Sequence, residues 1–232
     1  MMFIVTYVTL ADMNDKISPT IEDYLEVMYV LERDGEPVVG VRLAELLGVT
    51  PPTVTNTLKR MLRDDLVAVD AERHTSLTAH GREAASSIMR RHMLAEWMLA
   101  RMVSWSRIHR EAHALEHVMS NEVEAALIAE LNDPDVCPHG NPLPGHEGAV
   151  KPWVPLTMAP LGARLVVRRI HEFAEGNEQV MVFLEENHIA PGQEIVVQNV
   201  LDFNQTMNVA VGDRAVSLGF VVARYVFVET LA

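Results

Sequence analysis

The stretch from His109 to His117, reading HREAHALEH, constrains this chain more than any other. Ala, Leu, Glu and Arg favour a helix there. In a helix His109, His113, Glu116 and His117 fall at i, i+4, i+7 and i+8, within an arc of about 100°. Four potential metal ligands then share one stripe.

A single histidine on a helix face is ordinarily solvated or locally hydrogen-bonded, but four donors together leave two further readings open. His113, Glu116 and His117 spell H-x-x-E-H, the zinc motif of inverted metalloproteases, although a pattern with two free positions does not decide by itself. The other reading is a non-catalytic divalent-metal site whose remaining ligands come from other helices. The rest of the chain must choose.

With 232 residues, 49% apolar and 22% charged, the chain can bury a sizeable core and form more than one domain. A single cysteine, Cys137, excludes an internal disulfide framework and fits a reducing cytoplasm. The opening MMFIVTYVTLA is too short to span a membrane and lacks a clear signal-peptide pattern, so residues 1–15 are expected to be an extension, with Met13 an alternative start. The net charge of −13 argues against a nucleic-acid partner, but its distribution matters: Lys16 to His92 carries ten Lys/Arg against twelve Asp/Glu. A nearly neutral head can bind DNA if its cations lie on one face.

Ser18-Pro19-Thr20 starts a helix with Ile21, Tyr24, Leu25, Met28 and Leu31 at helical spacing, ended by Asp34-Gly35. On it, Asp23 reads locally as a cap for Thr20 and Glu26 as a surface charge. Two shorter helical patterns follow, Val41 to Leu47 and a second running to about Asp65. In the second, Thr50 is the expected N-cap, Pro51 the first helical residue, and Val54, Leu58, Met61 and Leu62 the buried stripe. That leaves Thr53, Asn56, Thr57 and Arg60 outward, a helix-turn-helix whose recognition helix offers Asn for adenine and Thr methyls for thymine. Thr50, Pro52, Lys59 and Arg60 complete the expected DNA-contacting face, with Lys59, Arg60 and Arg63 reaching phosphates. Leu66 to Val69 and Ser76 to Thr78 then read as the strands of a wing, with Arg73 and His74 at its tip.

Ala84 to Met102 is expected to be one helix carrying His92 and Glu96 at i, i+4, with more apolar surface than one intramolecular face needs. The HREAHALEH helix is expected to continue to about Leu131. Asp133 to Pro155, including CPHGNPLPG, reads as a partly ordered Pro- and Gly-rich linker. From Gly162 the pattern becomes β-rich, with turns at Pro191-Gly192 and Gly212-Asp213, and predicts a small barrel.

The order of parts, together with IEDYLEVMY, PPTVTNTLKRM, MRRHMLAEWML, HREAHALEHVMSNEVE and CPHGNPLPG, resembles the DtxR/MntR family of metal-dependent bacterial repressors from about Lys16 onward. The resemblance implies a primary, activating metal site of Asp23, Glu26, His92, His113, Glu116 and His117. Iron-responsive members carry Met at the position of Asp23 and usually Cys at that of His113, whereas manganese-responsive members share Asp23 and Glu26 but commonly have Glu for His113. It also implies an ancillary site. In one branch this is His92, Glu96 and His109, completed from the barrel by a residue like Gln179 and a Glu near Glu175 or Gly176. In the other it is Glu96, Cys137 and His139 with a barrel carboxylate such as Glu172.

The expectation is therefore an α+β chain with an N-terminal winged helix-turn-helix over 16–86, a helical dimerisation and metal-binding domain with its Pro-rich linker over 87–150, and an SH3-like β-barrel over 160–232. The function expected is that of a homodimeric, cytoplasmic, metal-activated repressor of metal-homeostasis genes, binding double-stranded operator DNA. It is not an enzyme and has no membrane or small-molecule partner. Oxygen and nitrogen ligands favour Mn(II), with Fe(II) the alternative. The rivals are a zinc metallopeptidase of the H-x-x-E-H type and a metal-responsive interaction protein without DNA binding.

Overall fold

The computed structural model describes residues 17–72, 74–150 and 152–231. The expected N-terminal extension and Arg73 lie outside the described residues. The chain divides between Ala85 and Ser86 into two compact units, and no helix of the described residues is long and apolar enough to cross a membrane.

The first unit is a winged helix-turn-helix. Helix α1 (Pro19–Arg33) begins after Ser18, with Pro19 in its first turn, and buries Ile21, Tyr24, Leu25, Met28 and Leu31. Thr20 is thus inside the helix, and Asp23 has no cap to make there. Helix α2 (Gly40–Leu47) ends at Gly48, whose φ of 63° is the left-handed conformation that glycine adopts without strain. Helix α3 (Pro51–Arg63) starts from Thr50, whose hydroxyl accepts a hydrogen bond from Thr53 N at 3.4 Å. Strands β1 (Val67–Val69) and β2 (Thr75–Leu77) pair antiparallel as the wing. Glu32 fastens the unit: its carboxylate accepts from Leu77 N at 2.7 Å and from Arg82 in the first turns of α4 (Ala79–Leu99). Gly81 lets that helix approach β1, since a Cβ there would lie 1.8 Å from Leu66 O.

Two expectations about α3 are corrected. Thr57 is buried and Leu62 is half exposed, at 50%. At about 100° per residue, positions 54, 57, 58 and 61 span an arc as wide as that of 54, 58, 61 and 62 but turned by about 40°, and the buried face takes the arc that holds Thr57 and leaves Leu62 outside. Pro52, Thr53, Asn56, Lys59 and Arg60 are exposed. Arg63 is turned onto Asp64, with bonds of 2.9 and 3.2 Å, and so is already engaged.

The second unit holds the rest. The single helix expected from His109 to about Leu131 is two, α5 (Ile108–Glu116) and α6 (Asn121–Leu131), because Ser120 caps a new helix start by accepting from Val123 N. The apolar residues Ile88, Met89, Met93, Leu94 and Leu99 of α4 are buried within the chain, so they leave little uncovered surface on that helix. The C-terminal part consists of β3 (Val154–Pro155), β4 (Arg164–Ile170), the short helices α7 (Glu172–Glu175) and α8 (Glu178–Glu186), β5 (Glu194–Leu201), β6 (Thr206–Val211), β7 (Arg214–Gly219), the turn α9 (Phe220–Ala223) and β8 (Val226–Thr230). These strands form one antiparallel sheet in the order β3-β8-β4-β5-β6-β7 around an apolar core that includes Leu165, Val167, Ile195, Val209 and Val228. Among the described residues its edge strands do not pair, so the sheet is open and not the closed barrel expected.

The Pro- and Gly-rich stretch is also corrected. Cys137, His139, Gly140, Asn141, Pro142, Leu143 and Pro144 are buried, so CPHGNPLP is a packed element of the second unit and not a loose linker. Gly140, at φ 87°, lies against β4 so closely that a Cβ would sit 2.0 Å from Arg168 O. His139 O accepts from Ile170 N at 2.8 Å, and Asn141 Nδ2 donates to Ile170 O at 2.7 Å. Beside them β4 shifts register between Val167 and Arg169, a bulge that turns the Arg169 guanidinium into the interior.

Candidate metal centre

Helix α4 contributes His92 and Glu96 one turn apart, and α5 contributes His109, His113, Glu116 and, at its C-terminal end, His117. The stripe expected along α5 is therefore present, but its donors divide between two groups with His92 in the middle. On one side His92 Nδ1 is 2.5 Å from Glu116 Oε2, while Glu116 Oε1 lies 2.8 Å from His113 Nδ1 and 3.3 Å from His117 Nε2. On the other side His92 Nε2 lies 2.9 Å from His109 Nδ1 and 3.3 Å from Glu96 Oε1.

Glu116 is fully buried, and burial raises its pKa. Hydrogen bonds to His113 and His92 outweigh that and hold its carboxyl at about 2. His92 is buried too, a condition that lowers an imidazole pKa, yet bonds to Glu116 and Glu96 raise it well above the ordinary value. A carboxylate kept ionised in the interior among three imidazoles is the charge arrangement a cation needs. Asp23 and Glu26 stand one turn apart on α1 of the first unit.

The second group joins α4 and α5 to the packed CPHG turn and α7. Its donors are His92, Glu96, His109 and Glu175, and a further set of Glu96, Cys137, His139 and Glu175 shares both carboxylates. The first four donor atoms are separated by 2.9 Å (His92 to His109), 3.3 Å (His92 to Glu96), 3.6 Å (His109 to Glu96) and 3.0 Å (His109 to Glu175). Donors about 2.1 Å from one ion lie about 3.0 to 3.4 Å apart, so these distances suit a metal. Glu96 supports the fit: it is 1% exposed and its Oε2 has no hydrogen-bond partner among the described residues. Burial pushes the carboxyl pKa of Glu96 up, but the charge of His139 and bonds to three imidazoles hold it well below the ordinary range. For His109 burial lowers the pKa, and bonds to Glu175 and Glu96 reverse the effect, to about 9. His139 is likewise lowered by burial, then raised to about 9 chiefly by Glu175 and Glu96. Burial, with Glu96 and Glu175 adding to it, pushes the Cys137 thiol well up.

Of the barrel carboxylates, Glu172 is committed elsewhere, accepting from Arg169 Nη2 at 2.9 Å, and Glu175 takes the place by the histidines. Gln179 is exposed in the first turn of α8. Sequence reasoning missed Asn141 and Arg169, which position Glu175. Asn141 Nδ2 donates to Glu175 Oε1 at 2.5 Å, and Arg169 Nε donates to Asn141 Oδ1 at 2.5 Å. Glu172 and Glu175 lie three residues apart on one short turn, and periodicity alone does not select between them.

Comparison with known proteins places these parts. Residues 16–75 match the model of the iron dependent repressor N-terminal DNA binding domain, 78–145 that of the iron dependent repressor metal binding and dimerisation domain, and 154–230 that of the FeoA domain. The iron-dependent repressor IdeR of Mycobacterium tuberculosis is 38% identical over 199 residues, covering 80% of this chain and 86% of that protein. The diphtheria toxin repressor of Corynebacterium diphtheriae is 42% identical over 135 residues, 57% of this chain and 59% of that one. Among solved structures, a manganese-dependent transcriptional repressor in complex with manganese superimposes with a TM-score of 0.79 at 29% identity, over 91% of this chain and 100% of that one. The manganese regulator SloR does so at 0.75 and 27%, over 93% of this chain and 100% of that one.

Proposed function

This chain belongs to the iron-dependent repressor family, as a metal-dependent DNA-binding transcriptional repressor and not an enzyme, and from that premise we propose that it is a manganese-activated homodimer controlling metal-homeostasis genes in the cytoplasm. The family assignment removes the peptidase reading of H-x-x-E-H. The observation that carries the metal reading is Glu116, buried with one oxygen 2.5 Å from His92 Nδ1 and the other 2.8 Å from His113 Nδ1.

The activating site consists of Asp23, Glu26, His92, His113, Glu116 and His117. Its donors are carboxylates and imidazoles without sulfur, a set for hard to borderline ions, which favours Mn(II). A bound divalent cation supplies the positive charge these carboxylates share. Asp23 and Glu26 bring α1 of the DNA-binding unit to that charge, while His92 and Glu116 anchor it to the dimerisation helices. Binding then biases the orientation of α3 only so far as the cation prefers one arrangement over the other. Two copies related by a two-fold axis present two α3 helices to the half-sites of a symmetric operator. Fe(II) is the second reading, favoured by the relatives named for iron.

The test is binding to a duplex from upstream of its own gene, followed by fluorescence anisotropy after exhaustive chelation and then with Mn(II), Fe(II) or Zn(II) added back. Chelation should abolish specific binding and Mn(II) should restore it at the lowest free concentration compatible with activation. Affinity indifferent to chelation would remove the mechanism.

A further inference from the structure

We propose that Glu32 is the positioning residue that joins the wing to the metal-sensing helix α1, so that occupancy at Asp23 and Glu26 is read out through wing contacts to DNA as well as through α3. This rests on the activating site proposed above.

The wing is a ribbon of two short strands, β1 and β2, with no third strand beside them among the described residues. Such a ribbon has marginal stability by itself, so its position is set by what holds its edges. Its base is held from the α3 side: Leu66 N donates to Met61 O at 2.9 Å, and Thr78 Oγ1 donates to Asp65 O at 2.6 Å. The outer edge is held differently. In the ladder Val67 faces Leu77 and Val69 faces Thr75, and in both pairs the N–H of the β2 residue turns away from β1. Thr75 N donates to Val38 O at 3.2 Å, and Leu77 N donates to Glu32 Oε1 at 2.7 Å. These two bonds stand where a third strand would. Thr75, Leu77 and Val38 are buried, so the N–H groups have no water to turn to if an acceptor is removed.

Of the two acceptors, Val38 offers its backbone and Glu32 a side chain. Glu32 stands in the last turn of α1, six residues after Glu26 and about 9 Å further along the same helix. That helix has no Gly or Pro after Pro19, and Tyr24, Leu25, Met28 and Leu31 bury its inner face, so the segment from Asp23 to Glu32 moves as one body. With its side chain 15% exposed, Glu32 is no solvated surface charge. Its second oxygen pairs with Arg82 at the start of α4, which holds the carboxylate in place toward β2. A carboxylate accepting from a backbone N–H makes one of the stronger hydrogen bonds. A displacement of α1 therefore carries β2 with it, and the wing gains or loses phosphate contacts together with α3.

The test uses the full chain, Mn(II) and the duplex from upstream of its own gene. The quantity read is the metal-dependent gain, the affinity at saturating Mn(II) divided by the affinity after chelation. Glu32→Ala should lower that gain by about fivefold or more, and by reciprocity the duplex should raise Mn(II) affinity by correspondingly less. The salt dependence of binding should become shallower by about 1 in slope for each phosphate contact the wing loses. Glu32→Gln keeps an oxygen for Leu77 N and should restore most of the gain. Arg82→Met leaves the wing bond in place and should keep it too. Arg73→Gln at the wing tip should lower the gain, and adding it to Glu32→Ala should cost little more, because both remove the same contacts. In the unsubstituted protein hydrogen exchange at Leu77 N should slow when Mn(II) binds, so a variant that fails to fold leaves the test intact. A Glu32→Ala protein that melts lower but keeps the parent's gain and salt slope would make Glu32 a structural residue and overturn the inference. Equal losses in Arg82→Met and Glu32→Ala, additive losses with Arg73→Gln, or exchange at Leu77 indifferent to Mn(II) would overturn it as well. Unsubstituted protein indifferent to chelation removes the activating site and this inference with it, whereas a metal-dependent parent with its gain intact in Glu32→Ala removes this inference alone.

Discussion

Asn56 and Arg60 stand about one turn apart on the exposed face of α3, and their chemistries separate readout from affinity. An amide can pair with one base edge, whereas a guanidinium beside the backbone attracts every phosphate. Asn56→Ala should cost about 1–3 kcal/mol on the operator and little on random duplex, while Arg60→Ala should weaken both. Equal losses for Asn56→Ala on the two duplexes in anisotropy titrations would remove it from base readout. Asp23 is a different case, because the local pattern allows a helix cap and the structure starts α1 too early for one. Asp23→Asn should weaken Mn(II) activation, and Asp23→Met should shift preference toward softer ions. A parent-like metal response in both variants would exclude Asp23 from the site. Residue by residue, the sequence was most legible where chemistry alone decides, as with His92, Glu96, His113 and Glu116. It was least legible where a few degrees of helix rotation decide, as with Thr57 and Leu62.

The elements teach a different lesson. Hydrophobic spacing located α1 and α3 to within a few residues, because one face of each is buried in its own unit, and the β-rich pattern from Gly162 marked all of the sheet but β3. Composition misjudged CPHGNPLPG, since Pro and Gly mark a chain that leaves regular structure without telling whether it also leaves the core. Here Gly140 is needed for contact, whereas Gly145, at φ 101° and with nothing within 4 Å of where a Cβ would stand, is needed only for its backbone angle. Gly145→Ala should cost about 1 kcal/mol, and Gly140→Ala about 3 kcal/mol or more, because it adds a backbone clash to the same strain. Urea melts of the two variants check this, and equal costs would mean that β4 yields to the turn. The break between α5 and α6 was hidden for a related reason: Ser120 is a good cap, but His117 to Met119 are also acceptable within a helix.

For the molecule as a whole, protons and metal compete for one interior. His109 and His139 are raised to about 9 in the metal-free protein, from about 6.5 when unfolded. Their charged pairs therefore stabilise the metal-free fold fully below about pH 6.5, and that contribution is lost as pH rises through about 9. Metal binding runs the other way, since ligands must shed protons to bind. The rise in melting temperature caused by Mn(II) should widen from pH 6.5 to 9, and calorimetry at pH 7 in buffers of different ionisation enthalpy should detect proton release. A pH-independent rise would contradict the charge states assigned to His109 and His139.

Glu185 is among the side chains that fasten the helical and sheet parts of the second unit. Glu185 on α8 accepts from Trp105 N at 3.0 Å and from Ser106 Oγ at 2.6 Å, while the Trp105 indole donates to Pro138 O at 3.1 Å. A chain cut after Val150 loses Glu175 and Glu185 together, so it gives up a candidate ligand and the clasp that seats the turn beside it. The C-terminal third is consequently no detachable module: exchanging it between relatives works only if Glu175 and Glu185 travel with partners that fit His109, Trp105 and Ser106. Recombination within this family should not tolerate a crossover at the proline-rich stretch where the sequence invites a cut.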